Sequence, residues 1–199
     1  RGLNYGDYAY IEAFPGGMYK FFPDANVARR GQLFEIWIRP VLPANAVFAL
    51  KLALFEVRRM LRDGIPEDEF EETREYLRKN AYLMTKTQDH QLGYAIDSLW
   101  YGTPDFVEYV HRGLAELTVD RVNRTIREYI SGSDFHVVFV TKDARALHDR
   151  LLDPSPARPT YDVAMPPEIA EEDERVAIEP LDLDASRIEV LPVDAVFAR

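Results

Sequence analysis

The chain has no cysteine among its 199 residues, which excludes disulfide bonds and thiolate metal sites. It has no run of about 18 apolar residues, the length at which a membrane-spanning helix becomes feasible. Residues 1–20 also lack a basic start followed by an apolar stretch, so no signal peptide is visible. What remains is a chain that is 47% hydrophobic and 12% aromatic, enough for a packed core in one or two domains.

An excess of positive charge is absent as well, because the formal net charge is -10. Residues 153–199 contain 12 acidic and 4 basic residues, so the rest of the chain is close to neutral. Phosphate binding and attraction to anionic membranes both require clustered Lys and Arg. We therefore expect no nucleic-acid partner and no membrane span.

The spacing of apolar residues predicts two strands followed by a helical block. Residues 8–14 and 32–40 alternate as strands do. Residues 42–64 have apolar side chains at helical spacing, with Asn45 as the expected N-cap and Gly64 as the residue that ends the helix. Further helices are predicted over residues 66–84, 89–101, 103–117, 118–130 and 144–152.

Two later segments lead to a prediction of the fold class. The helix over 89–101 is expected to turn one apolar set inward: Leu92, Ile96, Leu99 and Trp100. Residues 134–143 have a nearly continuous apolar middle, which predicts a central strand. Because strands and helices are segregated along the chain, we expect an α+β fold, a mostly antiparallel sheet with helices packed on one face.

The composition changes at Pro154, beyond which prolines are dispersed among acidic residues. We therefore divide the chain into a domain of residues 1–153 and an acidic, proline-rich, extended tail of residues 154–199. Residues 168–175 have too little apolar surface to repay the entropy of ordering, so we expect them to be mobile. Residues 187–197 alternate as a strand does, and we expect this last segment to dock on the body or on a partner.

The residues that carry chemistry do not form a recognisable catalytic motif. The four histidines are His90, His111, His136 and His148, and no two have the i, i+4 spacing that places two imidazoles on one helical face. There is no nucleophile elbow, phosphate loop or dinucleotide fingerprint. The acidic run 67–75 lacks the ligand spacing of a calcium loop and is interpreted as a solvated helix face. We predict no catalytic residue and no metal ligand in this chain.

Three segments, in order, carry a resemblance to a known family. They are GLNY at 2–5, DGIPEDEFEETREYLRKN at 63–80, and LTVDRVNRTIREYI at 117–130 followed by the FHVVFV of 135–140. Together they resemble the C-terminal domain of the insulinase/pitrilysin family of zinc metallopeptidases, which includes the mitochondrial processing peptidase. The resemblance covers residues 1 to about 150 and implies the metallohydrolase fold of that family, in a bacterial member.

The resemblance implies that this chain is the C-terminal half of a zinc-dependent peptidase. In that family an inverted zinc motif, His-x-x-Glu-His, lies in an N-terminal domain of similar fold, and this chain has no such motif. We therefore expect no cofactor here, zinc in a missing N-terminal half, and no activity for the chain alone. It would supply a chamber wall and contacts to an extended peptide substrate. The implied partner is the zinc-bearing half or a homologous subunit, with a homodimer as a further option.

The same resemblance implies substrate-binding residues near the start of the chain. The family has an arginine and, seven residues later, a tyrosine near the substrate. Its Gly-Leu-x-Tyr matches Gly2–Tyr5, which puts Tyr5 in the tyrosine's place and the arginine two positions before Arg1. A competing register pairs Arg1 with Tyr8. A tyrosine hydroxyl can donate to a carbonyl oxygen as negative charge develops on it, and an arginine can hold a carboxylate or carbonyl; Tyr5 could equally be a packed aromatic at a strand start.

Two other functions stay open. Family members with degenerate sites act as scaffolds or as the silent partner of an active subunit, so a non-catalytic scaffold is the alternative. His-x-x-Glu-His upstream of this segment would support the peptidase, and its absence would support the scaffold. A generic α+β binding domain unrelated to the family is the third option. Family habit favours the bacterial cell envelope or periplasm over the cytoplasm.

Overall fold

A computed structural model of the chain describes residues 4–12, 24–25 and 33–196, and for 4–12 it describes the backbone. The described residues divide into two compact units. The first unit contains residues 4–7, 37–58 and 132–196. The second contains residues 8–12, 24–25, 33–36 and 59–131.

Regular structure in the described ranges consists of two strands and eight α-helices. Strands β1 (Asn4–Glu12) and β2 (Leu33–Val41) pair in a two-stranded sheet, and a single 3-10 turn over Pro43–Asn45 precedes the first helix. The helices are α1 (Ala46–Asp63), α2 (Glu67–Met84), α3 (Gln88–Tyr101), α4 (Phe106–Glu116), α5 (Val119–Tyr129), α6 (Ala144–Leu152), α7 (Pro167–Ile178) and α8 (Val193–Val196). Across the described ranges, none of these helices has the length and apolar character needed to cross a membrane.

The predicted fold class, a mostly antiparallel sheet with helices on one face, is wrong. Helices pack against helices, because both clusters of fully buried apolar side chains are formed between them. In the first unit α1 and α7 contribute Phe48, Val176 and Ala177; in the second unit α2 and α4 contribute Ala81, Val110 and Leu114. Residues 134–143 are not a strand, so within the described chain the sheet has only β1 and β2.

The predicted helix ends are confirmed where neighbouring residues determine them. Gly64 follows α1 with a φ of 80°, and Gly102 follows α3 with a φ of 67°. Both angles lie in the left-handed region, where glycine has no Cβ to strain. Thr118 caps α5 as predicted, since its Oγ1 accepts a hydrogen bond of 3.2 Å from the backbone N–H of Arg121.

Asn45 does not cap α1 as predicted. It ends the 3-10 turn, is buried, and uses its side-chain amide on a distant part of the chain. Its Nδ2 donates to the carbonyl of Thr160 at 2.9 Å, and its Oδ1 accepts from the N–H of Thr160 at 2.8 Å. The side-chain amide of Asn45 thus satisfies both backbone hydrogen-bonding groups of Thr160, as a neighbouring strand would. It holds the chain that precedes α7 against the start of α1.

The expectation that residues 168–175 are mobile is also wrong, because they lie within α7. Val176 and Ala177 at its end are fully buried against Phe48. The carboxylate of Asp173 is buried too and accepts a hydrogen bond from the hydroxyl of Tyr161. Three apolar or hydrogen-bonded positions on one face of a short acidic helix are therefore enough to order it within the first unit.

Arginine side chains hold the proline-rich chain between α6 and α7. Arg150 donates to three groups just beyond α6, the carboxylate of Asp153 at 2.9 Å, the hydroxyl of Ser155 at 3.1 Å and the carbonyl of Pro156 at 3.1 Å. Arg158 forms an ion pair with Glu174 of α7 at 2.8 Å. This part of the predicted tail is therefore anchored on both neighbouring helices. The boundary at 153/154 itself stays a prediction.

The expected docking of residues 187–197 on the body is not found in their described part, whereas docking on a partner stays a prediction. The apolar side chains of this part are exposed: Val190, Leu191, Val193 and Val196. A four-residue helix, α8, replaces the predicted strand-like alternation. Phe197 lies outside the described residues.

Candidate functional site

The two tyrosines proposed as substrate contacts both lie in β1. Tyr5 is the second residue of the strand and Tyr8 the fifth, while Arg1 lies outside the described residues. The position of a tyrosine in a strand agrees with either register of the resemblance. The roles of Tyr5, Arg1 and Tyr8 therefore stay predictions.

Two of the histidines are held separately, each by a neighbour of its own. Nε2 of His111 lies 2.8 Å from the carbonyl oxygen of Arg78, and its ring meets the edge of Tyr82. Nδ1 of His90 lies 2.9 Å from the carbonyl oxygen of Met84. Within the described ranges, no group of three or more His, Asp or Glu side chains is arranged to hold a metal ion. His90 and His111 thus serve local hydrogen bonds.

The acidic run at the start of α2 is a solvated helix face, as interpreted from its sequence. Glu71 pairs with Arg74 and Glu75 pairs with Arg78, each three residues along the helix. Hydrogen bonds from Arg78 and Lys79 lower the pKa of Glu75 to about 2. Glu75 is therefore charged near neutral pH and is not poised to act as a general acid there.

The most extensive apolar feature of the second unit is one face of α3, which we call the α3 surface. It consists of Leu92, Ala95, Ile96, Leu99 and Trp100, all exposed, with Leu99 84% and Trp100 81% exposed. The spacing of positions 92, 95, 96 and 99 places them on one stripe of the helix. The prediction that these side chains face inward is therefore wrong.

The buried side of α3 is a different set of residues. Gly93 and Tyr94 are buried, and the ring of Tyr94 stacks on Phe106 of α4 with centroids 3.9 Å apart. Tyr94 and the α3 surface both fit a helical period, so periodicity alone could not choose between them. In the structure the side of α3 that carries Tyr94 packs on α4, through the stack with Phe106.

The charges on α3 have a single sign. Asp89 lies in its first turn and Asp97 in its second half, and the helix contains no Lys or Arg. Acidic side chains suit the first turn of a helix, but Asp97 gains nothing from the dipole. The α3 surface is thus an apolar stripe bordered by negative charge.

A second exposed apolar feature lies in the first unit, and we call residues 134–142 the extended segment. Its chain runs from 134 to 141 without helix, turn or bend. Val138 is 86% exposed and Val140 is 96% exposed. The predicted central strand is wrong because, among the residues that the structure describes, no strand lies beside this segment. Residues 135–140 make no backbone–backbone hydrogen bond to any part of the described chain.

Lys51 is a buried cation in the apolar first half of α1. Its ammonium donates to the carbonyl of Ala177 at 2.8 Å, close to the negative end of α7. The same carbonyl accepts from the N–H of Ala157 at 3.0 Å, so it would keep a partner without the lysine. Burial, and secondarily the charge of Arg150, lower the pKa of Lys51 below its ordinary 10.5, while Glu179 partly opposes them.

This pKa predicts how the stability contribution of Lys51 depends on pH. Since the unfolded chain binds its proton more tightly, the folded state gains stability as pH rises from the lowered pKa toward 10.5. We expect the free energy of unfolding of the wild type to rise relative to Lys51→Met over that window. Urea titrations at stepped pH measure it. Lys86→Met, at an exposed position, is the control and should show no such trend; a difference that is constant with pH would contradict the prediction.

Comparison with known proteins does not identify a family. No protein-family model matches the chain, and neither curated proteins nor solved structures show a significant match to it. The resemblance to the insulinase/pitrilysin family therefore rests on the three segments of sequence alone. The structure offers two separate candidate surfaces, the α3 surface in the second unit and the extended segment in the first.

Proposed function

We propose that this chain is the non-catalytic half of a two-part zinc peptidase, and that it works by binding a zinc-bearing half through the α3 surface. The observation that carries the proposal is the α3 surface, since a helix of an otherwise packed unit leaves Leu99 and Trp100 almost fully exposed. Exposed apolar stripes with a polar border are typical of sites that bind another protein. The sequence resemblance supports the identity of the partner.

The chemistry of the α3 surface defines what the partner must present. Covering a side chain the size of leucine is worth about 1.5–3 kcal/mol, so three or four of them supply a useful part of a binding free energy. Asp89 at the border favours Lys or Arg opposite it. The zinc-bearing half should therefore offer an apolar groove with a basic rim. Zinc chemistry would belong to that half, and Tyr5 stays the proposed contact to the substrate.

The experiment begins with the gene upstream of Arg1. The segment that it encodes is co-expressed with this chain, and the binding of the two is measured by calorimetry. We expect Leu99→Ser/Trp100→Ser to weaken binding by about 30-fold or more, because two hot-spot side chains are lost. Thermal unfolding of the variant alone should be unchanged, since neither side chain is buried. Val163→Ser, at an exposed position of the first unit, is the matched control.

Two results would count against this function. Equal binding of the α3 variant and the control would remove the α3 surface from the interface. An upstream segment that binds but has no His-x-x-Glu-His would favour the scaffold. The scaffold is the second candidate, because a docking helix serves either role.

A further inference from the structure

The extended segment has the composition of a strand, but no strand of the described ranges pairs with it. Residues 135–140 read FHVVFV, without proline, glycine or charge, a combination that favours pairing with another strand. Their backbone groups make no backbone–backbone hydrogen bond in the described chain. A second strand can add to such a segment, because it offers a row of backbone donors and acceptors flanked by exposed valines.

Hydrogen bonds hold the chain on both sides of the extended segment. Before it, the Nε of Arg58 lies 3.4 Å from the carbonyl oxygen of Gly132, and Arg58 also pairs with Glu179 at 2.8 Å. After it, Asp143 caps α6 by accepting from the N–H of Ala146 at 2.9 Å. A strand held at both ends loses less conformational freedom on pairing than a loose loop would.

The side chains of the segment differ in the degree of burial. Phe135 and Phe139 are half-buried and Val137 is 44% exposed, whereas Val138 and Val140 are 86% and 96% exposed. Successive side chains of an extended chain point to opposite sides. One side of the segment therefore faces its own unit, and the even-numbered positions 134 to 142 form its outer side.

The charges at its ends select one pairing. In an antiparallel pair of two copies centred on Val138, Asp134 of each copy lies opposite Lys142 of the other. Residue 136 then lies opposite 140, so outer side chains meet outer side chains. A slip of one residue would set outer positions against inner ones, and a slip of two would part Asp134 from Lys142. Parallel pairing in register would place like charges together.

From this we propose that two copies of the chain form a two-fold symmetric dimer by antiparallel pairing of residues 134–142, with Val138 on the axis. The segment is self-complementary, as a two-fold interface requires. A single pair of strands buries less than a standard interface, so we expect a dissociation constant in about the micromolar range. The dimer does not depend on the proposed function, because its residues lie outside the α3 surface.

Analytical ultracentrifugation of the full chain between about 1 and 500 µM, which brackets that range, tests the dimer. Val138→Lys sets two ammonium groups against each other on the axis and should leave the chain monomeric at all of these concentrations. Asp134→Lys and Lys142→Asp should each weaken association by about tenfold, because each replaces two attractive pairs by repulsive ones. The double variant Asp134→Lys/Lys142→Asp should restore wild-type association. Val163→Lys is the control for adding charge at an exposed valine.

Amide hydrogen exchange distinguishes strand pairing from non-specific aggregation, because only strand pairing protects particular amides. Alternate amides of residues 135–140 should become protected as concentration rises, since only every second residue of an antiparallel strand bonds to the partner. Protection that is already complete at the lowest concentration would overturn the proposal, because the segment would then pair within its own chain. A chain that stays monomeric, a dimer that survives Val138→Lys, a double variant that does not recover, or growth beyond the dimer would overturn it too.

Discussion

Replacing Phe48 with alanine should lower the free energy of unfolding of the first unit by about 3–5 kcal/mol. Phe48 is fully buried, and it packs on Val176 and Ala177 at the end of α7. The variant loses the transfer free energy of the ring and leaves a cavity that a single turn of α7 cannot fill. Denaturant titration measures the change. Phe34→Ala is the matched control, since that ring is exposed and its loss should cost far less.

Limited proteolysis gives the same prediction a second, local readout. Arg175 lies in α7, so trypsin should cut after it slowly in the wild type and much faster in Phe48→Ala. Val176→Ala and Ile178→Ala extend the comparison along the helix, because Val176 is fully buried and Ile178 is exposed. Cleavage at Arg175 that is as fast in the wild type as in Phe48→Ala would contradict the packing of α7 on α1.

Replacing Gly64 with alanine should destabilise the second unit by about 2–4 kcal/mol, combining two effects. The first is backbone strain, because Gly64 has a φ of 80°. The second is a collision, since a Cβ there would lie 2.7 Å from Nδ2 of Asn123. That amide accepts from the N–H of Ile65 at 2.7 Å and donates to its carbonyl at 3.1 Å, so moving it sacrifices two hydrogen bonds.

Gly102→Ala is the matched control for this prediction. Its φ of 67° is similar, but a Cβ there meets no atom of the described chain within 4 Å. The control should therefore show the backbone strain alone, about 1–2 kcal/mol. Thermal and urea denaturation of both variants give the two values. Equal destabilisation of the two variants would mean that Asn123 does not clamp the turn between α1 and α2.

Features that depend on near neighbours could be predicted from the sequence. The ends of α1 and α3 at Gly64 and Gly102, and the cap of α5 at Thr118, follow from the backbone freedom of glycine and the reach of a threonine hydroxyl. The bounds of α6 were predicted correctly for the same reason. These preferences act within a few residues and do not depend on what the rest of the chain does.

Features that depend on distant contacts could not be predicted. The sequence of 134–143 favours a strand, but a strand requires a neighbour, and none lies beside it in the described chain. Asn45 had two suitable roles, and the choice was made by Thr160, 115 residues away. Lys51 did give a clue, because a charge inside the apolar run of α1 implies a partner or a route to water, yet the partner could not be named.

The order of α7 could have been anticipated more closely. Proline at its first position, Glu168 in its first turn and Arg175 in its last turn are all favourable for a helix. The low apolar content of residues 168–175 outweighed these preferences in the prediction. Val176 and Ala177, just beyond that window, supply the buried contact that holds the helix.

The contact between α1 and α7 cannot form during synthesis until α7 has been translated, so α1 waits for its packing partner. Lys51 and the carbonyl that it binds are separated by 126 residues. At about 5–20 residues per second, a ribosome needs roughly 6–25 s to add that length. Throughout this interval the apolar face around Phe48 has emerged without the helix that covers it. The nascent chain therefore offers a binding site to chaperones that disappears only when α7 has been translated.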